Sequence, residues 1–285
     1  METADLWVTP AWLRERLGDP GVVLLDCRFA LDDPSKGWRE YQERHIPGAR
    51  YAHLDRDLSA PAGEHGGRHP LPAAAAFARF AARACIGPDT HVVAYDEGGE
   101  MAARCWWVFQ YFGHGRVSAL YGGIGAWQRA GHDCERDIPP DCPEEAGLFA
   151  PRPEADMLAE REDILRRTAA GGAGFHLVDV RAPERYRGDV EPLDPRAGHI
   201  PGAVNYFWRD ALQGAAKPRD PADLRAHFQA LRDGREVVVY CGSGVTASAG
   251  VMALRSAGVS ARLYAGSWSD WCSYADSPVA TGAAP

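Results

Sequence analysis

Four stretches of this 285-residue chain occur twice, in the same order, and that repetition limits the possible folds more than any other feature. Val22-Val23-Leu24-Leu25-Asp26-Cys27-Arg28 answers to His176-Leu177-Val178-Asp179-Val180-Arg181. His45-Ile46-Pro47-Gly48-Ala49 answers to the identical pentapeptide His199-Ile200-Pro201-Gly202-Ala203. His91-Val92-Val93-Ala94-Tyr95-Asp96 answers to Glu236-Val237-Val238-Val239-Tyr240-Cys241, and Leu120-Tyr121-Gly122-Gly123 through Trp127 answers to Leu263-Tyr264-Ala265-Gly266 through Trp271. The separations drift through 153, 154, 145 and 143 residues, as loop insertions and deletions after a duplication would make them. A chain of this length is also longer than one core comfortably fills. The reading is two copies of one domain, 1–137 and 159–285, joined by a linker over 138–158.

Within each copy, short β-branched runs such as Val237–Tyr240 suit strands buried on both faces of a parallel sheet. Between them lie helical stretches: an Ala-rich one from Pro72 to Ala84, and one from Asp223 to Arg232 with Leu224, Phe228 and Leu231 at helical spacing. Strands alternating with helices predict an α/β fold of two tandem domains, each a mainly parallel β-sheet flanked by helices. Pro139, Pro140, Pro143, Pro151 and Pro153 stiffen the linker, and the small-residue tail from Ala280 to Pro285 reads as frayed. A net charge of −8 without a Lys/Arg run argues against nucleic acid and anionic membrane as partners. An anionic substrate must then be drawn by a local Arg cluster. Met1-Glu2-Thr3-Ala4-Asp5 has no secretory pattern, and no apolar run is long enough to span a bilayer. The seven cysteines are odd in number and lack CxxC or metal-like spacing, so the expectation is no disulfide framework, no metal and a reducing cytoplasm.

The chemistry concentrates after the strand Val237–Tyr240, in Cys241-Gly242-Ser243-Gly244-Val245-Thr246. A helix is expected from near Thr246 to about Ala257, with Gly258 as its stop. Ligands in such sheets sit beyond the carboxyl ends of strands, where Cys241 falls. Glycines let the loop curl so that its N–H groups converge, and the helix adds the positive end of its dipole. Both favour a thiolate or persulfide anion over a neutral thiol. Cysteine phosphatases share this layout but need an Arg at the sixth position after the Cys to clamp the phosphoryl group; here that position is Ala247. Cys27, Cys85, Cys105, Cys134, Cys142 and Cys272 have no such loop and read as structural. His45 and His199 occur identically in both copies, only one of which has the nucleophile, so they too read as structural.

The loop Cys241 to Thr246 resembles the active-site loop of 3-mercaptopyruvate sulfurtransferases, within the rhodanese family. The doubled HIPGA segments, Asp179-x-Arg181 and Gly266-Ser267-Trp268-Ser269-x-Trp271 extend the likeness over nearly the whole chain. The resemblance implies two rhodanese-like domains, of which the first, with Asp96 in the position of Cys241, is non-catalytic. It implies Cys241 and Ser243 as catalytic residues, His69 and Asp55 as Ser243's partners, Arg185 and Arg196 as binders of the donor's carboxylate and keto oxygen, and Gly242, Gly244, Val245 and Thr246 as the anion cradle. His69 would then act on the second copy from the first. The interval from Asp55 to His69 is longer than the family pattern, which leaves Asp57 as a competitor for Asp55. Arg181 is assigned to a structural pair with Asp179. The implied reaction moves a sulfane sulfur from 3-mercaptopyruvate through a Cys241 persulfide to a thiol such as thioredoxin, or to cyanide, without a cofactor. Thiosulfate is the alternative donor; Gly242 and Ser243 speak against it, since the related thiosulfate enzymes carry Arg and Lys there. A non-catalytic binding module is the alternative of a different class.

Overall fold

The computed structural model describes residues 6–142, 149–172 and 174–284. Met1–Asp5, Pro143 of the expected linker and Pro285 of the tail lie outside the described residues. The chain divides into two compact units that exchange segments. Unit 1 takes the chain up to Ala60, Leu71–Glu154 and Gly214–Pro218; unit 2 takes Pro61–Pro70, Ala155–Gln213 and the chain from Arg219 on. The sequence reading had two contiguous stretches. Which segments pack together is decided by tertiary contacts, which carry no local pattern.

Unit 1 holds a five-stranded sheet of β1 (Trp7–Val8), β2 (Val22–Asp26), β3 (Arg50–Tyr51), β4 (His91–Tyr95) and β5 (Val117–Leu120), in the order β1-β5-β4-β2-β3. Every pairing is parallel, with Asp26 opposite Tyr95. Unit 2 holds β6 (Phe175–Asp179), β7 (Ala203–Asn205), β8 (Glu236–Tyr240) and β9 (Arg262–Leu263), in the order β7-β6-β8-β9 and again all parallel, with Asp179 opposite Tyr240. The central strands are buried almost throughout, which is why their sequences run apolar rather than alternating. The chain leaves β6 toward β7 on one side and leaves β8 toward β9 on the other. The gap beyond the carboxyl ends of β6 and β8 is therefore the switch point where such sheets bind ligands. Unit 1 has the same switch between β2 and β4.

The doubled motifs explain themselves in these sheets. Asp26 and Asp179 each end a strand and form a buried ion pair with Arg28 and Arg181, closing at 2.5 and 2.7 Å. The hydroxyls of Tyr95 and Tyr240 accept from Ile46 N and Ile200 N of the two HIPGA segments, at 3.2 and 3.1 Å. His45 and His199 are buried, stack on Tyr41 and Tyr186 at 4.1 and 3.9 Å, and bond those residues' carbonyls through Nδ1. HIPGA thus fastens the corner beside each central strand.

Helix ends shift modestly from expectation. The Ala-rich helix runs Ala74–Arg83, and the second expected helix stops at His227 and continues as a 3-10 turn over Gln229–Leu231. Unit 2 packs Phe175, Leu177, Val238, Trp268 and Trp271 into one core, and unit 1 packs Leu13, Leu24, Val93, Leu120 and Trp127 into another. Of the expected linker 138–158, the stretches 138–142 and 149–154 contain neither helix nor strand, and Ala155–Met157 form a 3-10 turn. Against the sequence reading, Cys85 and Cys142 of unit 1 form a disulfide across a separation of 57 residues. No spacing signal announces so long a closure. Among the described residues no helix is long and apolar enough to cross a membrane, and no group of three His, Cys, Asp or Glu side chains could hold a metal ion.

Candidate active site

In unit 2 the strand β8 delivers Cys241 to the switch point, and a helix, Val245–Ser256, leads away from it. Gly244 caps that helix at φ +78°, and a Cβ there would lie 2.3 Å from the carbonyl oxygen of Ala265, so only glycine fits. Gly250 lets the helix press on the sheet, since a Cβ would meet Val180 Cγ1 at 2.9 Å. The loop is anchored from beneath by the segment that starts the last helix, Ser267–Trp271. Cys241 N donates to Ser267 Oγ at 3.1 Å, while Trp268 N and Ser269 N donate to the carbonyls of Cys241 and Gly242, each at 2.9 Å.

Cys241 is buried, and its Sγ accepts the Gly244 N–H at 3.2 Å. An N–H donor at the mouth of a helix is the setting that supports negative charge on sulfur. Val245 is buried and Thr246 half-buried in the first helical turn. Ser243 is buried, and its Oγ lies 2.8 Å from His69 Nδ1. The sequence reading put His69 in the first domain, but by packing it belongs to unit 2. Its segment is pinned there by Gly66 N to Asp270 Oδ1 at 2.7 Å, Arg68 N to Ser269 Oγ at 3.1 Å, and His65 stacked on Tyr274 at 3.9 Å.

Arg185 stands on a short helix, Pro183–Arg187, after β6. Glu191 holds its Nη2 at 2.6 Å and Asp194 approaches the same nitrogen at 3.3 Å, while Nη1 faces Gly242, 3.3 Å from where a Cβ would be. Sequence reasoning missed Arg68, whose Nη2 lies 2.9 Å from that same position and whose Nη1 pairs with Asp194. The adjoining candidate His69 and the glycines Gly66 and Gly67 were the available signal. It also passed over Glu191, Asp194 and Ser267, which bond Arg185 and Cys241 N and belong to no motif. Burial pushes the Asp194 carboxyl up, with Arg68 and Arg185 pulling the other way. Arg196 turns elsewhere: its Nη1 and Nη2 donate to the carbonyls of Tyr274 and Ser277 at 3.4 and 2.8 Å. Burial, and then Asp194, pushes the Cys272 thiol up to about 12.

Asp55 and Asp57 lie in unit 1, on the one-turn helix Leu54–Asp57. Asp57 is committed locally, accepting from His53 N at 2.9 Å and from Arg83 at 3.0 Å. Asp55 N donates to His53 Nδ1 at 3.1 Å.

A parallel sheet that offers a cysteine to a glycine-lined helix mouth, beside a Ser–His pair and paired guanidinium groups, defines an α/β enzyme of nucleophilic group transfer. The rhodanese-like domain family matches residues 9–130 and 161–274. A protein of Pseudomonas aeruginosa described as a probable 3-mercaptopyruvate sulfurtransferase is 44% identical, over 99% of this chain and 100% of its own length. Mouse thiosulfate sulfurtransferase is 35% identical, over 93% and 91%. The crystal structure of SseA, a 3-mercaptopyruvate sulfurtransferase of Escherichia coli, superposes with a TM-score of 0.78 at 30% identity, covering 92% of this chain and 98% of that one. The chain belongs to the rhodanese-like family as a tandem pair of its domains, and it is an enzyme of the sulfurtransferase type.

Proposed function

We propose that this sulfurtransferase takes a sulfur atom from 3-mercaptopyruvate and carries it as a persulfide on Cys241. The observation that carries the reading is the His69–Ser243 hydrogen bond, next to a Cys241 sulfur that already receives the Gly244 N–H. Thiolate Cys241 attacks the donor's sulfur. The carbon–sulfur bond breaks with its electron pair on carbon, giving the enolate of pyruvate and an S–S bond on Cys241. Ser243 hydrogen-bonds the enolate oxygen, and a proton delivered through His69 completes pyruvate. An acceptor thiolate, such as that of thioredoxin, or cyanide then attacks the outer sulfur and restores Cys241.

Arg185 is the first binder of the donor's carboxylate, a task its planar fork suits. Arg196 shares that role only by releasing two backbone carbonyls. Gly242, Val245 and Thr246 complete the cradle. Asp55 enters through the family resemblance as support for His69, and the commitment of both Asp57 oxygens favours it over its competitor. A cytoplasmic setting goes with five free thiols, while the Cys85–Cys142 bridge weighs against a strongly reducing one. Thiosulfate is the second reading, favoured by the two guanidinium groups over the loop and by the mouse relative's name.

Intact-mass measurement after brief exposure to each donor tests this, with Cys241→Ser alongside. A gain of one sulfur with mercaptopyruvate, absent from the variant and matched by pyruvate release, is expected. A gain with thiosulfate alone replaces the donor, and no gain from either leaves a binding module.

A further inference from the structure

In unit 2 the last helix and the residues just past it hold two things at once. One is the loop of Cys241: Trp268 N and Ser269 N donate to the carbonyls of Cys241 and Gly242, and Ser267 Oγ takes Cys241 N. The other is the strap Pro61–Pro70, which carries His69. The strap contains neither helix nor strand, and three of its ten residues are glycine, so its own backbone cannot fix His69 in place. Its anchors must. His65 Nδ1 lies 2.7 Å from Ser273 Oγ, with its ring stacked on Tyr274. Gly66 N donates to Asp270 Oδ1 at 2.7 Å, and Arg68 N donates to Ser269 Oγ at 3.1 Å. Between these anchors Gly67, at φ +81°, passes so close that a Cβ would lie 2.4 Å from Gly266 O. Ser269 therefore holds the loop by its N–H and the strap by its hydroxyl. Of the four side chains that take the strap, Asp270 is the buried one, at 6% exposure. Its other oxygen, Oδ2, accepts from the Tyr264 hydroxyl. Tyr264 N in turn donates at 2.9 Å to Val239 O, in the strand that delivers Cys241. Asp270 thus ties the strap to the sheet itself.

We propose that Asp270 is a positioning residue for the sulfur transfer: it seats the strap so that His69 Nδ1 meets Ser243 Oγ at 2.8 Å, and it acts through His69 rather than on the donor. This rests on the proposed function, in which His69 delivers the proton that completes pyruvate. Hydrogen bonds to a carboxylate are short and strong, and a buried one is shielded from competing water. The His65 anchor, by contrast, sits on an exposed ring. The Gly66 bond to Asp270 falls three residues before His69, close enough for its loss to shift the imidazole. Proton transfer is the step most sensitive to such a shift, because it needs donor and acceptor within hydrogen-bond reach.

The test measures two half-reactions separately in the full-length protein. Single-turnover pyruvate release from 3-mercaptopyruvate needs the proton carrier. Discharge to cyanide of a persulfide preloaded with inorganic polysulfide does not. Asp270→Ala is expected to slow pyruvate release about 10- to 100-fold, the order of cost of a catalytic group displaced by about an ångström, and to leave discharge as in wild type. Asp270→Asn keeps an oxygen for the Gly66 N–H and recovers most of the loss. His65→Ala removes an exposed ring, gives a milder loss of the same kind, and stands in if Asp270→Ala does not fold. In a His69→Ala background Asp270→Ala adds little. Equal slowing of both half-reactions, or a loss that adds in full to that of His69→Ala, makes Asp270 a general brace and overturns the proposal, as does unchanged pyruvate release in both Asp270→Ala and His65→Ala. Wild type that releases no pyruvate, or His69→Ala that releases it at the wild-type rate, removes the proposed function and this inference with it; release that depends on His69 but not on Asp270 removes the inference alone.

Discussion

Asp96 in unit 1 and Cys241 in unit 2 stand at the same station, one residue past the end of a central strand and four before a twelve-residue helix. In both, the third residue on is a glycine in the left-handed region, Gly99 at φ +100° and Gly244 at +78°. Gly99 N donates to Asp96 Oδ1 at 2.7 Å just as Gly244 N donates to Cys241 Sγ at 3.2 Å. Asp96 goes further and takes Met101 N and Ala102 N at 2.7 and 3.1 Å. Unit 1 thus turns its loop N–H groups onto its own Asp96 side chain, while in unit 2 the Cys241 sulfur takes one N–H, from Gly244. On the proposed function, the duplicated geometry would not duplicate activity. What differs is one side chain at the centre and the groups around it, since Ser243 answers to Gly98, and Arg185, just before Tyr186, answers to Glu40, just before Tyr41.

The comparison is broken most directly by moving the nucleophile. Cys241→Ser combined with Asp96→Cys is expected to stay about a thousandfold or more below wild type in pyruvate release, because the thiol arrives without its partners. Sulfur uptake at position 96, seen by peptide mass, would mean that the cradle alone suffices. Next in size, His69→Ala and Ser243→Ala each lower kcat by about 100- to 10,000-fold, the usual contribution of a positioned proton carrier. The double variant falls little further if the two act as one unit, and kinetic non-additivity measures that.

Smaller effects sharpen the comparison at the glycines. Gly244→Ala costs about 1–3 kcal/mol for the left-handed backbone, plus the clash with Ala265 O. Gly99→Ala, with its nearest atom at 3.1 Å, costs less, and paired denaturant titrations rank them. The smallest effect is a pH slope. Burial, reinforced by Glu100, pushes the Asp96 carboxyl up to about 7, against the pull of its three N–H donors. Between 3.8 and about 7 the folded state then holds a proton that the unfolded state has released, so stability contributed by this group is present in acid and lost as pH rises through that window. Asp96→Asn flattens the slope, as thermal melts at the two ends of the window will show.

Much of this was legible in the residues. Apolar five-residue runs fix the central strands, a repeated pentapeptide betrays the duplication, and a cysteine between such a strand and two glycines marks the station where the proposed function puts its nucleophile. Arg68 was not legible, because a single Arg in a glycine-rich stretch has no period and its meaning depends on Asp194, 126 residues away. The Cys85–Cys142 bridge was hidden for the same reason, and the Arg196 guanidinium took backbone carbonyls that no sequence pattern advertises. Local chemistry writes itself into neighbouring residues, whereas pairings across long separations are settled only when the chain packs.

Segment exchange has a consequence for how such a chain can evolve and be cut. Two domains in tandem need the backbone to pass between them once; here it passes after Ala60, Pro70, Glu154, Gln213 and Pro218. A gene split at the linker would yield a second half with Cys241 but no His69 and no Arg68, and a first half missing Gly214–Pro218, whose Ala216 bonds Gly98 and Gly122 in unit 1. Neither half is a free-standing cassette. A recombination event at the linker would separate Cys241 from the His69 segment that packs with it in a single stroke.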